Sequence, residues 1–89
     1  MTWTLEFLPS ADKALGRIDG AAAGRILNEL EEISRLEDPR SRGRAAAGNL
    51  AGLWRYRVGD YRVICDIEDD ALVVLVVGVT HRSEVYRRR

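Results

Sequence analysis

The sequence predicts an α+β domain: an N-terminal strand, a two-helix antiparallel hairpin, then a mainly antiparallel sheet of three or more strands with both helices on one face. Three observations predict it. Residues 54–67, WRYRVGDYRVICDI, alternate apolar and basic residues about a Gly-Asp pair. Residues 72–79, LVVLVVGV, are almost wholly apolar and β-branched. Two stretches of helical periodicity lie ahead of both, joined by a short Gly-containing turn.

Taken in chain order, residues 3–7 (WTLEF) set Trp3, Leu5 and Phe7 on one face and Thr4 and Glu6 on the other, a half-buried strand. Pro9 and Ser10 mark a helix start, Ala11, Ala14, Leu15 and Ile18 recur at helical spacing, and Asp19-Gly20 signals the end. A second helix, over about Ala22 to Leu36, aligns Ile26, Leu30 and Ile33 on one side. Residues 38–49, DPRSRGRAAAGN, lack periodicity and read as a loop with a short helical turn at the alanines. Arg40, Arg42 and Arg44 in that loop are open to two readings, a solvated surface or contact with a polyanion.

The quoted segment carries the most information. Gly59-Asp60 between two alternating runs predicts a two-residue hairpin turn, and that turn sets the register. Arg57 then faces Arg62 and Arg55 faces Ile64. Trp54, Tyr56, Val58, Tyr61, Val63 and Cys65 form the surface that packs on the helices, while Arg55, Arg57 and Arg62 share the other. Like charges directly opposed on a sheet cost a few tenths to about 1 kcal/mol. Either Asp66 or an acidic helix residue neutralises the pair, or the cluster awaits a multivalent anion, for which phosphate is the usual partner of guanidinium groups. The following LVVLVVGV is the pattern of a strand covered on both faces or flanked on both edges, the centre of a sheet. His81, Arg82 and Tyr86 leave its end in THRSEVYRRR, within reach of the Arg62 face. His81 as a strand-end cap and Tyr86 as a core aromatic are the plainer readings.

Composition narrows the function classes. A chain of 89 residues supports one core, since chains of this size bury only about 60–65% of their unfolded surface, so residues 1–89 are expected to form a single domain. Fourteen basic residues balance 14 acidic ones, which argues against indiscriminate polyanion binding and directs attention to local patches. No apolar run reaches the ~18 residues of a membrane span, and MTWTLEF lacks the form of a signal peptide, so a cytoplasmic protein is expected. Cys65 is the only cysteine and is read as a small buried hydrophobe. Neither a metal-binding cluster nor a cofactor motif is evident, so no metal and no cofactor are expected.

The order of elements, with "LAGLWRYRVGDYRVICDI" and "VVGVTHRSEVY", resembles the RelE/ParE superfamily of toxins from bacterial and archaeal toxin-antitoxin pairs over nearly the full chain. The resemblance implies a RelE-like, microbial RNase-like fold and, in the RelE branch, an mRNA interferase that cleaves messenger RNA in the ribosomal A site. It also implies a cognate antitoxin from the adjacent gene. The family's strand arginine corresponds to Arg62, its later arginine to Arg82 and its terminal tyrosine to Tyr86, while two basic positions that are often lysines fall on Arg55 and Arg57. Arginine does not release its proton at a useful pH, so neither of these replaces a lysine base. His81 then becomes the expected proton-transfer group beside Arg62, Arg82 and Tyr86, with Arg44, Arg55 and Arg57 binding RNA. The alternative within the superfamily is a ParE-like inhibitor of DNA gyrase, or an inactive member that only binds its antitoxin, because a shared fold leaves the activity open.

Overall fold

The computed structural model describes residues 2–82. Strands β1 (Thr4–Phe7), β2 (Arg44–Ala45), β3 (Trp54–Val58), β4 (Tyr61–Glu68) and β5 (Val73–His81) form one sheet in the order β1-β5-β4-β3-β2. Helices α1 (Pro9–Gly16) and α2 (Gly20–Arg35) lie between β1 and β2 in sequence. All pairings are antiparallel except β1 with β5, which is parallel because the chain crosses over the helices before it returns beside its first strand. The expected α+β architecture is present.

Local chemistry accounts for the helix boundaries. Leu8 is extended, as a residue before proline tends to be, and Pro9 opens α1 where its missing N–H costs nothing. The Asp19-Gly20 pair, expected to end the first helix, instead begins the second. The Asp19 carboxylate accepts the Ala22 N–H at 3.3 Å, a side-chain cap that starts α2 at Gly20. Helix α1 has already stopped at Gly16, leaving a three-residue connection over 17–19.

Ile26, Leu30 and Ile33 of α2 and Ala11 of α1 are fully buried and pack with Tyr56, Val63, Cys65, Val74 and Val76. The apolar side of the hairpin strands therefore faces the helices. β5 is interior, between β1 and β4, as its unbroken apolar run predicts.

The segment 38–49 departs from expectation. The alanine run forms no helical turn; Arg44 and Ala45 pair with Arg55 and Trp54 as β2, and the two short 3₁₀ turns fall on either side, at Pro39–Ser41 and Gly48–Leu50. Side chains of β3 hold this segment down. Trp54 Nε1 donates to the Arg42 carbonyl at 2.6 Å and the Tyr56 hydroxyl donates to the Pro39 carbonyl at 2.7 Å. Gly43, at φ +76°, lies so close to the Arg55 carbonyl and the Trp54 and Tyr56 rings that a β-carbon there would collide with them.

Between β4 and β5 the register slips once. Ile64 pairs with Gly78 but Cys65 pairs with Val76, so Val77 is an extra residue in β5. Val74 and Val76 point to the helices before the bulge; Val79 and His81 do so after it.

Candidate functional site

The hairpin closes as its sequence predicts, with Gly59 at φ +60° and Asp60 completing the two-residue turn. Positive φ at the first central residue alone is the type II′ pattern, whose twist suits adjoining strands. Arg57 pairs with Arg62, Tyr56 with Val63 and Trp54 with Cys65, which is the expected register throughout. Tyr56, Val63 and Cys65 are buried against the helices, so the alternate residues Arg55, Arg57 and Arg62 stand on the open face. β2 adds Arg44 directly across from Arg55.

Two adjoining clefts follow from this ladder. Arg57, Asp60, Tyr61, Arg62 and Arg82 line one, and Gly43, Arg44, Arg55, Arg57 and Arg62 line the other, so Arg57 and Arg62 form the wall between them. Among the described residues Arg44, Arg55 and Arg62 have no ion-pair partner, and Asp66, on the same face, does not neutralise Arg62. Arg57 bends over the turn, its Nε donating to the Gly59 carbonyl at 3.3 Å. Arg82 approaches Asp60 at 3.8 Å.

Arg40 and Arg42, grouped with Arg44 by sequence, are engaged elsewhere. Arg40 makes a two-pronged pair with Asp69 at 2.9 and 3.0 Å, and that hydrogen bonding holds the Asp69 carboxyl below the usual carboxylate range. Arg42 joins Glu29 and Glu32 of α2, each at 3.1 Å. These three ion pairs are solvent-accessible and fasten the 38–49 segment to its neighbours, contributing little stability each.

His81 is not where the sequence reading expects it. The Val77 bulge turns its side chain to the helix side, where its ring meets Tyr61 edge-on with centroids 5.0 Å apart. There it lines a separate cleft with Ala14, Arg17, Ile18 and Asp19, away from Arg62. The same bulge sends Thr80, the partner of Arg62, and then Arg82 to the open face. The structure thus brings together Arg44, Arg55, Arg57, Arg62 and Arg82 and separates His81 from them. Tyr86 lies outside the described residues. Cys65 is fully buried and its thiol is pushed up to about 12 by burial, as befits a packing residue. Among the described residues no group of three or more His, Cys, Asp or Glu side chains is placed to hold a metal ion, and no helix is long and apolar enough to cross a membrane.

Asp60 and Tyr61 were not anticipated as parts of the cleft. Sequence assigns Asp60 to the turn and Tyr61 to the helix-facing surface; only the approach of Arg82 across the turn makes them walls of a site.

Comparison with known proteins bears on the fold and the family. Toxin RelG of Mycobacterium tuberculosis is 28% identical over 89 residues, covering 99% of this chain and all of the relative. The toxin-antitoxin complex RelBE2 of M. tuberculosis contains a chain that superposes with a TM-score of 0.82 at 25% identity, over 93% of this chain and 94% of that one. The archaeal RelE-RelB complex of Pyrococcus horikoshii matches with a TM-score of 0.72 at 27% identity, over 92% and 97%. The family model described as "ParE toxin of type II toxin-antitoxin system, parDE" matches residues 5–86, nearly the whole length. With the sheet, the helix pair and the hairpin motif all in place, the chain belongs to this ParE toxin family, within the RelE/ParE superfamily of type II toxin-antitoxin toxins.

Proposed function

We propose that this toxin is an endoribonuclease that cleaves messenger RNA without a metal ion, at the ribosomal A site, by attack of an RNA 2′-hydroxyl on the adjacent phosphodiester. The observation that carries the reading is the stack of two arginine rungs, Arg57 opposite Arg62 and Arg55 opposite Arg44, on one open sheet face with Arg82 at its end. Such a face repels itself until an anion arrives, and a phosphodiester backbone offers charges in series. Arg62 and Arg82 stabilise the charge that develops on the phosphoryl oxygens; Arg44, Arg55 and Arg57 hold the flanking backbone.

We also infer a partner, a cognate antitoxin from the adjacent gene. The RelBE2 and RelE-RelB matches are toxin-antitoxin complexes, which supports that inference. An acidic segment laid over Arg55, Arg57 and Arg62 would block RNA by occupying its site.

The test incubates purified toxin with RNA, free and on translating ribosomes, in the presence of a chelator, and maps the new RNA ends. Cleavage that Arg62→Ala abolishes and added antitoxin blocks supports the proposal. Intact RNA in both settings, with inhibition of DNA gyrase instead, overturns it in favour of a ParE-like activity.

A further inference from the structure

Among the described residues, the arginine cleft contains one carboxylate. Asp60 is the second residue of the β3–β4 turn and lines the cleft with Arg57, Tyr61, Arg62 and Arg82. Its backbone is well fixed: Val58 and Tyr61 pair on either side of the turn, and the Arg82 N–H donates to the Asp60 carbonyl at 2.7 Å. Its side chain is not. Asp60 Oδ1 stands 3.8 Å from Arg82 Nη1, too far for a hydrogen bond, and both side chains are more than half exposed, 63% and 56%. Exposed pairs of this kind contribute little to stability.

A carboxylate here repels the phosphate that the neighbouring arginines attract, so its presence calls for a chemical reason. Accepting a proton is the one task the guanidinium groups cannot perform. Tyr61 is a phenol, a weak base while it holds its own proton, and His81 lies beyond it on the helix side. Arg57 and Arg62 on the strands and Arg82 after β5 line the same cleft as Asp60, and Arg25 of α2 approaches the adjoining Gly59.

We propose that Asp60 is the general base of the reaction, taking the proton from the attacking 2′-hydroxyl. The inference rests on the ribonuclease reading above. As the 2′-oxygen forms its bond to phosphorus, an Asp60 carboxylate oxygen receives the 2′ proton and the bond from phosphorus to the 5′-oxygen breaks. The leaving oxygen takes a proton from water, and the proton on Asp60 neutralises the hydroxide produced. The products are a 2′,3′-cyclic phosphate and a 5′-hydroxyl, with no change of oxidation state.

The experiment measures single-turnover cleavage and RNA affinity for the wild type, Asp60→Asn, Asp60→Glu and Arg62→Ala. The substrates are one RNA free in solution and the same message on ribosomes. Asp60→Asn is expected to melt like the wild type and to bind RNA at least as tightly, having lost a negative charge. Its cleavage should slow by about 10²–10⁴-fold, the usual contribution of a positioned acid or base. Its pH–rate profile should change as well, and Asp60→Glu should recover part of both. A rate and pH profile unchanged in Asp60→Asn would make Asp60 a counter-ion to the arginines and overturn the proposal. Loss of RNA affinity together with rate would also overturn it, by showing that Asp60 serves to hold Arg82. If the wild type cleaves neither substrate while Arg62→Ala behaves identically, the ribonuclease reading fails, and this inference falls with it.

Discussion

Arg57 and Arg62 stand directly opposite each other on β3 and β4, and among the described residues no carboxylate pairs with Arg62. Opposed like charges oppose folding by a few tenths to about 1 kcal/mol, so the fold gains nothing from Arg62. Arg62→Ala is therefore expected to match or slightly exceed the wild type in thermal stability. It should lose RNA cleavage by about 10²–10³-fold, the usual cost of removing one donor to a transition-state anion. Melting curves and cleavage rates read the two effects separately, and a variant that unfolds identifies Arg62 as structural.

The Arg44–Arg55 rung lies one cleft away from Asp60 and Arg82, so it should serve binding more than chemistry. Each phosphate contact to a single strand steepens the salt dependence of log K by about 0.7. Arg55→Ala should shallow that slope by roughly this amount, and the double variant with Arg44→Ala by about twice as much. Fluorescence anisotropy of an RNA oligonucleotide across a salt series measures it. Turnover at saturating RNA should fall far less than in Arg62→Ala; equal losses would mean that both rungs act on the reacting phosphate.

His81 meets Tyr61 on the helix side of the sheet, so its exchange should leave the chemistry largely intact. Cleavage by His81→Gln is expected to fall well short of the ~10²–10⁴-fold loss that follows removal of an acid–base group. A loss of that size would return His81 to the site and would require the end of β5 to rearrange when RNA binds.

Tyr56 offers a test of the fold itself. Its buried hydroxyl donates to the Pro39 carbonyl at 2.7 Å, so Tyr56→Phe leaves a buried acceptor without its donor and should cost about 1–3 kcal/mol in urea unfolding. Burial raises the Tyr56 phenol above its ordinary range and pushes the Cys65 thiol from 9.0 up to about 12. Both groups bind their protons more tightly folded than unfolded. Their contribution is fully present below the unfolded values and is lost as pH rises toward the folded ones. Stability should decline above pH ~9 and less steeply in Tyr56→Phe. A thiol reagent should reach Cys65 only after denaturant is added.

The hairpin and its Arg57–Arg62 rung were determined by sequence alone. Strict alternation from Trp54 to Val58 and from Tyr61 to Cys65, joined by a turn that glycine permits, leaves one register and one division of faces. The helical stripe Ile26, Leu30 and Ile33 was equally legible, because its period is a local property of the chain. Tertiary pairing decided the rest. The two residues of β2 show no alternation, and they become a strand only where Trp54 and Tyr56 bind the backbone of 39–42 and Gly43 permits close approach. In LVVLVVGV neighbouring side chains are almost equally apolar, so the pattern carries no phase, and the bulge at Val77 is set by how β5 matches β4. That single extra residue sends Arg82 to the open face and His81 to the helices. A strand's face is readable when its two sides differ in polarity; when they do not, the neighbouring strand chooses it.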